Sequence, residues 1–561
     1  MQKHMRGAVS FLLVFLLAFS MPLTALAEEY DLSKGSVTVD AREDGTYVTQ
    51  TGVVTGEKQT TDTVITQSNP DTATTNTITV NAAGGVDAEV ILDGVNVEAT
   101  RGAAMKVNRE EGSSVTVELE GDNKLTGGSN AAGLEVSGDG ELEIADADGD
   151  GSLTAQGGEN GAGIGGSSMK DGSNITVSGG TVNATGGYNS AGIGGGNNGG
   201  GSNITVSGGT VNATGGYNSA GIGGGYNGSG SNITVSGGTV TAIGGTSAAA
   251  IGGGYSGIGS EITISGGTVT ATGGSYSAGI GGGYYEGGSD ITISGGTVTA
   301  TGGEDSAGIG GGFVGACSNV TISGGIVTAT GGKNGAGIGG GYNNTGSDIA
   351  ISGGEVTATG GQYGAGIGGG CYSTGGDITI SGGTVTAVGG NCATGIGGGH
   401  YGNGSNIVIK NDAVVTATGN GNAQDIGSCP APAQDAKVDA NTDELYTTGS
   451  VNGVPGIVEP PAEGKPLFKV DKDYEEEWDL EKGVLTVTVK DSEATLTTWG
   501  YGLEMLKNNY GIKTLRFVTS GAEYELDVEK LLEGVAAFDE YQLTHKGSAI
   551  KLTLNGEEIE K

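Results

Sequence analysis

Over most of the chain, apolar and polar residues alternate in short runs, and each run stops at a glycine pair. A full copy reads Asp290-Ile-Thr-Ile-Ser-Gly-Gly, then Thr297-Val-Thr-Ala-Thr-Gly-Gly, then Ala307-Gly-Ile-Gly-Gly-Gly and a polar turn. Alternation with period two places Ile291, Ile293, Val298 and Ala300 on one face of two short strands, and Thr and Ser on the other. The glycine pairs supply corners with φ > 0. Isoleucines of the Ala-Gly-Ile motif fall at 164, 193, 222, 251, 280, 309, 338, 367 and 396, always 29 apart. Degenerate copies at Met105, Leu134 and Ile426 bring the count to twelve. The pattern predicts an all-β, three-sided parallel β-helix, a solenoid of about twelve 29-residue coils in which Ile309 and its equivalents join the buried column. Asn174, Asn203, Asn232, Glu261, Asp290, Asn319, Asp348, Asp377 and Asn406 share one position ahead of the first strand. They are expected to bond the backbone of neighbouring corners and hold the turns.

The flanks differ from the repeat. Lys3 and Arg6, the apolar run Gly7 to Ser20 and the small-residue site Thr24-Ala-Leu-Ala27 predict a signal peptide over 1–27, cleaved near Glu28. The expected product is secreted, extracellular or associated with the cell surface, with no membrane insertion after cleavage. No lipid-bearing Cys stands at the cleavage point, and Leu554 to Lys561 carries no sortase signal. Residues 28–85 read as a β-rich N-terminal cap and 86–428 as the β-helix. Residues 429–464, with Pro430, Pro432, Pro455, Pro460 and Pro461, read as a linker. For 465–561 the expectation is a small α+β domain, with strands near Gly483 and Lys513–Val518 and a helix over Leu503–Asn508.

Charge narrows the function. The net charge is −38, so a nucleic acid would be repelled. Residues 28–160 hold 26 acids and 7 bases, whereas 161–428 hold 11 and 3. A polysaccharide lyase needs a base with calcium-holding carboxylates, and a hydrolase needs paired carboxylates in a cleft. Residues 161–428 offer no Arg, only Lys170, Lys333 and Lys410, and the single His400 at a turn position held by Tyr or Phe in other copies. No catalytic residue is assigned. Cys317, Cys371, Cys392 and Cys429 occupy different repeat positions, so they are expected to remain thiols.

Two candidate binding sites remain. Asp146-Ala-Asp148-Gly-Asp150-Gly sets carboxylates at alternate positions of a glycine-containing turn, which suits calcium, although Gly157 stands where an EF-hand loop would carry Glu. The other reading of this loop is a solvated acidic turn. Four residues after the repeat isoleucine come Tyr226, Tyr255, Tyr284, Phe313 and Tyr342, with Tyr285, Tyr372 and Tyr401 one residue further on. Such a rank of rings suits stacking against sugar, or else the rings stack on one another to stabilise the turn. Thr268, Thr270, Thr272, Thr297, Thr299 and Thr301 form an outward array of the kind found in ice-binding solenoids. Asn183, Asn212, Ile243, Ile326, Glu355 and Val388 interrupt it.

The segment Val90-Ile-Leu-Asp-Gly-Val-Asn-Val, followed by Gly102-Ala-Ala-Met, Val115-Thr-Val-Glu-Leu, Asn123-Lys-Leu-Thr and Leu142-Glu-Ile, resembles secreted right-handed β-helix carbohydrate-binding domain proteins of Firmicutes. The Ala-Gly-Ile-Gly-Gly-Gly repeats resemble those of large surface proteins from the same bacteria. Over residues 30 to 428 this resemblance implies a right-handed, pectate-lyase-like helix, with calcium and acidic polysaccharide as ligands. The resulting expectation is a non-catalytic surface protein that binds carbohydrate or a host or cell-surface glycan, or serves as an adhesin. The alternatives are a spacer without a ligand and, more remotely, an ice-binding solenoid.

Overall fold

A computed structural model describes residues 28–429 apart from 60, 61, 411, 412 and 422, short strands between 445 and 455, and most of 468–559. The expected signal peptide and most of the expected linker lie outside the described residues. Two compact units result, one reaching Ser260 and including Gly267–Thr270, the other holding Glu261–Gly266 and Ala271 onward. The fold is an all-β parallel β-helix of about 14 turns with 29-residue coils.

In the first unit, Gly201–Val206 pairs in parallel with Gly172–Val177 and Gly230–Val235, forming part of the first sheet. Thr210–Thr214 lies between Thr181–Thr185 and Thr239–Ile243 in the second. Ile222–Gly223 lies between Ile193–Gly194 and Ile251–Gly252 in the third. The register sets equivalent residues opposite one another, as the constant period requires. In the second unit Ile291 faces Val320, Val298 faces Val327 and Ile309 faces Ile338. Ile291, Ile293, Val298, Ala300 and Ile309 are wholly buried. Each large aliphatic side chain so placed contributes about 1.5–3 kcal/mol, and this apolar column is what holds the coils together.

Two features of the repeat have local causes. The glycine after the repeat isoleucine adopts a backbone closed to other residues: Gly194 has φ +132°, and a Cβ there would lie 2.1 Å from the carbonyl oxygen of Gly223. The Asn/Asp position lies inside the first strand and not at a corner before it, which corrects the expectation. Pairing runs from Ser173–Ser202 to Ile175–Ile204 and skips Asn174 and Asn203. Both are left-handed, with φ of 54°. Asn and Asp tolerate that conformation better than most residues. Their side chains bond each other along the stack: the Asn203 amide donates to Asn174 Oδ1 at 2.8 Å, and the Asn232 amide to Asn203 Oδ1 at 2.7 Å.

Parallel pairing begins well before Met105. Glu28–Asp31 pairs with Thr63–Thr66, which pairs with Ala88–Asp93 of the first sheet. Val37–Arg42 pairs with Ile78–Ala82, which pairs with Met105–Arg109 of the third. These turns lack the Ala-Gly-Ile signature, which is why the sequence count of twelve falls short. Gly45–Gln50 and Val54–Lys58 continue the third sheet as antiparallel strands. An antiparallel hairpin of this kind ends a parallel stack without leaving its first strand open.

The C-terminal residues build two further sheets. One contains Phe468–Val470, Ala494–Trp499, Glu540–Lys546, Ala549–Leu554 and Glu557–Glu558. The other contains Tyr474–Asp479, Val484–Val489, Thr514–Thr519 and Ala522–Asp527, with Val484–Val489 and Thr514–Thr519 parallel. Leu485, Val487, Leu496, Leu503, Leu515, Phe517 and Leu543 lie in their shared core. Of the expected helix at 503–508, Leu503, Leu506 and Lys507 are helical and the rest lie outside the described residues. Val528–Leu531 forms one helical turn, capped by Asp527, which accepts from the Glu529 and Lys530 N–H groups.

Candidate functional site

The third strand of each regular coil is two residues long, so the chain turns sharply on both sides of the repeat isoleucine. Backbone bonds bring those turns together between successive coils. The N–H of Tyr226 donates to the carbonyl of Asn189 at 3.1 Å, that of Phe313 to Tyr276 at 3.0 Å, and that of His400 to Tyr363 at 2.9 Å. The residue four after one isoleucine therefore lies beside the residue four before the previous one, and rings from both positions share one surface.

Within each unit, the aromatic residues singled out in the sequence lie at these turns, Tyr226 and Tyr255 in the first and the other six in the second. In the first unit Tyr226 and Tyr255 stack at 5.3 Å and 13°. In the second unit Tyr284 packs on Tyr285 at 4.5 Å and on Phe313 at 5.1 Å. Phe313 and Tyr342 stack at 5.5 Å, and Tyr372 and Tyr401 at 5.4 Å. The rings do stack on one another, yet they also stay accessible. The rings four positions after isoleucine are half-buried, and those at the fifth position are exposed, Tyr285 at 50% and Tyr372 at 53%. Tyr372 and Tyr401 are also left-handed, with φ of 61° and 60°, where an equivalent residue in another coil is Asn198. A bulky side chain in that region signals local strain.

Sequence reasoning missed the rings that precede the isoleucine. Tyr188 and Tyr217 stack at 5.4 Å and 3°, both exposed, and Tyr276 packs edge-on to Tyr284 and Phe313. Their shared offset of five or four residues before isoleucine was the available signal. His400, expected as an incidental exposed histidine, is half-buried. It packs on Tyr401 at 3.9 Å and on Tyr363 at 5.2 Å, and its buried Nδ1 has no partner among the described residues.

The acidic loop is compact. Ligand oxygens of Asp146, Asp148 and Asp150 all lie within 4.8 Å of one another. Asp146 accepts from the N–H groups of Gly149 at 2.7 Å and Gly151 at 2.8 Å, so its own turn already uses both oxygens. Asp148 and Asp150 are exposed. A hydrogen bond and charge repulsion from Asp148, reinforced by Asp146 and Asp93, push the Asp150 carboxyl above its usual range. Burial, followed by Asp93, Asp148 and Asp150, raises Glu120 on the adjoining first sheet. These residues could hold a hard cation, and they would repel one another less if they did.

Other sequence expectations fare unevenly. All four cysteines stand as thiols, but Cys392 and Cys429, which their repeat positions separate in sequence, are neighbours, and Cys392 adds to the upward shift that burial gives the Cys429 thiol. Across the second sheet the outward threonines are broken by exposed Ile243 and Ile326 and by a bonded Asn183–Asn212 pair. Arg109, unremarked in the sequence, is fully buried and donates to the carbonyls of Asn174 at 2.7 Å and Ser173 at 3.1 Å.

The beta helix repeat family matches the chain eight times, over residues 175–197, 204–226, 233–255, 262–284, 291–313, 320–342, 349–371 and 378–400. Each match runs from the first strand to the ring-bearing turn. No curated protein and no solved structure matches the chain. The repeats and the three stacked sheets together make this chain a right-handed β-helix protein.

Proposed function

We propose that the chain is a secreted, non-catalytic surface protein that binds carbohydrate through the ring-bearing turns of its β-helix. The observation that carries this reading is the edge formed by Tyr284, Tyr285, Phe313, Tyr342, Tyr372 and Tyr401, where packed rings stay open to solvent. Apolar faces of sugar rings stack on such rings, and phenolic hydroxyls bond sugar hydroxyls. Coil stacking repeats the same group at intervals of roughly 5 Å, so a polymer would meet several equivalent contacts. Support for calcium comes from the Asp146–Asp150 loop, which would lend a cation to an acidic sugar.

A glycan array probed with the full chain, with and without millimolar calcium, tests both parts. Binding to a polysaccharide class is expected, and Tyr372→Ala with Tyr401→Ala should weaken it at least about tenfold, since stacked rings contribute on the order of 1 kcal/mol each. Calcium should raise the melting temperature, and Asp148→Asn with Asp150→Asn should remove most of that rise. Absence of binding to every glycan would leave the spacer reading. An unchanged melting temperature would reduce the loop to an acidic turn.

A further inference from the structure

The last regular turns of the solenoid hold a group of sulfurs that the carbohydrate reading does not use. Cys392 lies four residues before Ile396, and Cys429 lies three residues after Ile426 in the next coil. Equivalent positions in other coils are close neighbours. A Cβ built on Gly341, three after Ile338, would lie 3.0 Å from the carbonyl oxygen of Asp305, four before Ile309. A Cβ on Gly370 would lie 2.9 Å from that of Asn334. Cys429 thus carries its side chain at a glycine position that faces the preceding coil's turn, and the residue it meets there is Cys392. The two side chains lie near enough for Cys392 to help raise the Cys429 thiol, after burial, the larger cause. Cys429 is buried and Cys392 only partly so, which leaves Cys392 the accessible partner.

We propose that Cys392 and Cys429 form a disulfide that ties the final turn of the repeat to the coil before it. The oxidant is an external small-molecule disulfide. The Cys392 thiolate attacks one of its sulfurs and expels a thiolate; the Cys429 thiolate then attacks the Cys392 sulfur of the mixed disulfide and expels the second. Two protons leave the protein, two protein thiols are oxidised to one disulfide, and one external disulfide is reduced to two thiols. Cys317 takes no part. Buried in the core of its own coil, its thiol is pushed up to about 12 and stays protonated. Cys371, also buried, is pushed up to about 11, and burial raises Cys429 as well; Cys429 differs in facing the turn that carries Cys392. The bridge would close a loop of 38 residues, both cysteines included, and fasten the solenoid just before Pro430.

The test incubates the full chain with oxidised glutathione under native conditions, then digests it without reduction and maps the peptides by mass. Expected is a linked pair containing Cys392 and Cys429, with titratable thiols under denaturant falling from four to two. The melting temperature should rise by a few degrees and return on reduction. Cys392→Ser should abolish both the link and the rise, while Cys317→Ser should keep them. Four remaining thiols, a glutathione adduct on Cys392 without a bridge, or a bridge to Cys371 would overturn the proposal.

Discussion

Gly194 stands at φ +132° with the neighbouring coil's carbonyl where a side chain would begin, so a single methyl group probes the coil's tightest point. Gly194→Ala should cost about 3 kcal/mol or more, from an unfavourable backbone region and a clash with main-chain atoms that cannot step aside. Gly52 makes the control: its φ is +78°, but nothing lies within 4 Å of an added Cβ. Gly52→Ala should cost only about 1–2 kcal/mol, the backbone penalty alone. Denaturant unfolding of the two variants compares them, and equal losses would show that the close approach does not matter. At this scale the sequence was only partly legible. Burial of Ile291, Ile293, Val298, Ala300 and Ile309 follows from alternation and was read correctly. The left-handed bulge at Asn174 and Asn203 was not, because Asn favours both a corner and a left-handed strand residue, and composition does not distinguish them.

Among the elements, the third strands show how the early coils replace what glycine does later. Glu135 is the register partner of Gly165 on one side and Lys106 on the other. Its buried carboxylate accepts from Lys170 Nζ at 2.9 Å and from the Ser167 hydroxyl, with Lys106 Nζ at 3.8 Å. Burial opposes its charge, but Ser167, Lys170 and Lys106 prevail and hold its pKa below the ordinary 4.5. The unfolded chain therefore takes up the proton first on acidification. The stabilisation is complete above 4.5 and disappears as pH falls through the lower folded value. Glu135→Gln should cost about 1–2 kcal/mol at neutral pH, a figure kept small because both lysines are half exposed. The gap from the unmodified protein should narrow toward about pH 3, and melting curves at the two pH values would read it. A gap of the same size at both would remove the ionic contribution. None of this was visible in the sequence, since Glu135 and Lys170 are 35 residues apart and meet only through the coil's turn. The same holds for the ring-bearing edge. The eight aromatic positions were legible from their offset, and so was the offset of Tyr188, Tyr217 and Tyr276; that the turn before isoleucine lies beside the turn after it was not, because only pairing between coils joins them.

For the whole chain, the 29-residue period makes a prediction that no single contact makes. Each coil of the second unit pairs only with the coils before and after it, as Cys317–Ile322 does with Gly288–Ile293 and Ile349–Ile351. Stability then accumulates from similar coils and their interfaces, and one coil can be removed without leaving a mismatched surface. Deleting Asp290 to Ser318 brings Asn319, left-handed at φ 53°, to the place of Asp290 at φ 54°, and Val320, Val327 and Ile338 to the places of Ile291, Val298 and Ile309. Every buried position keeps an aliphatic occupant. Deleting the 14 residues Asp290 to Gly303 instead removes the first two strands of one coil and keeps its third. The strands Cys317–Ile322 and Ile326–Thr330, which pair with the removed strands, would then lack partners on one side, while Ile309 would still demand its place in the column. Unpaired backbone groups and an exposed apolar face both follow from that mismatch. The 29-residue deletion should melt cooperatively within a few degrees of the full chain, and the 14-residue deletion should melt broadly, bind a hydrophobic dye, or aggregate. Calorimetry and dye binding on both proteins decide the matter, and equal behaviour of the two would break the link between repeat length and coil.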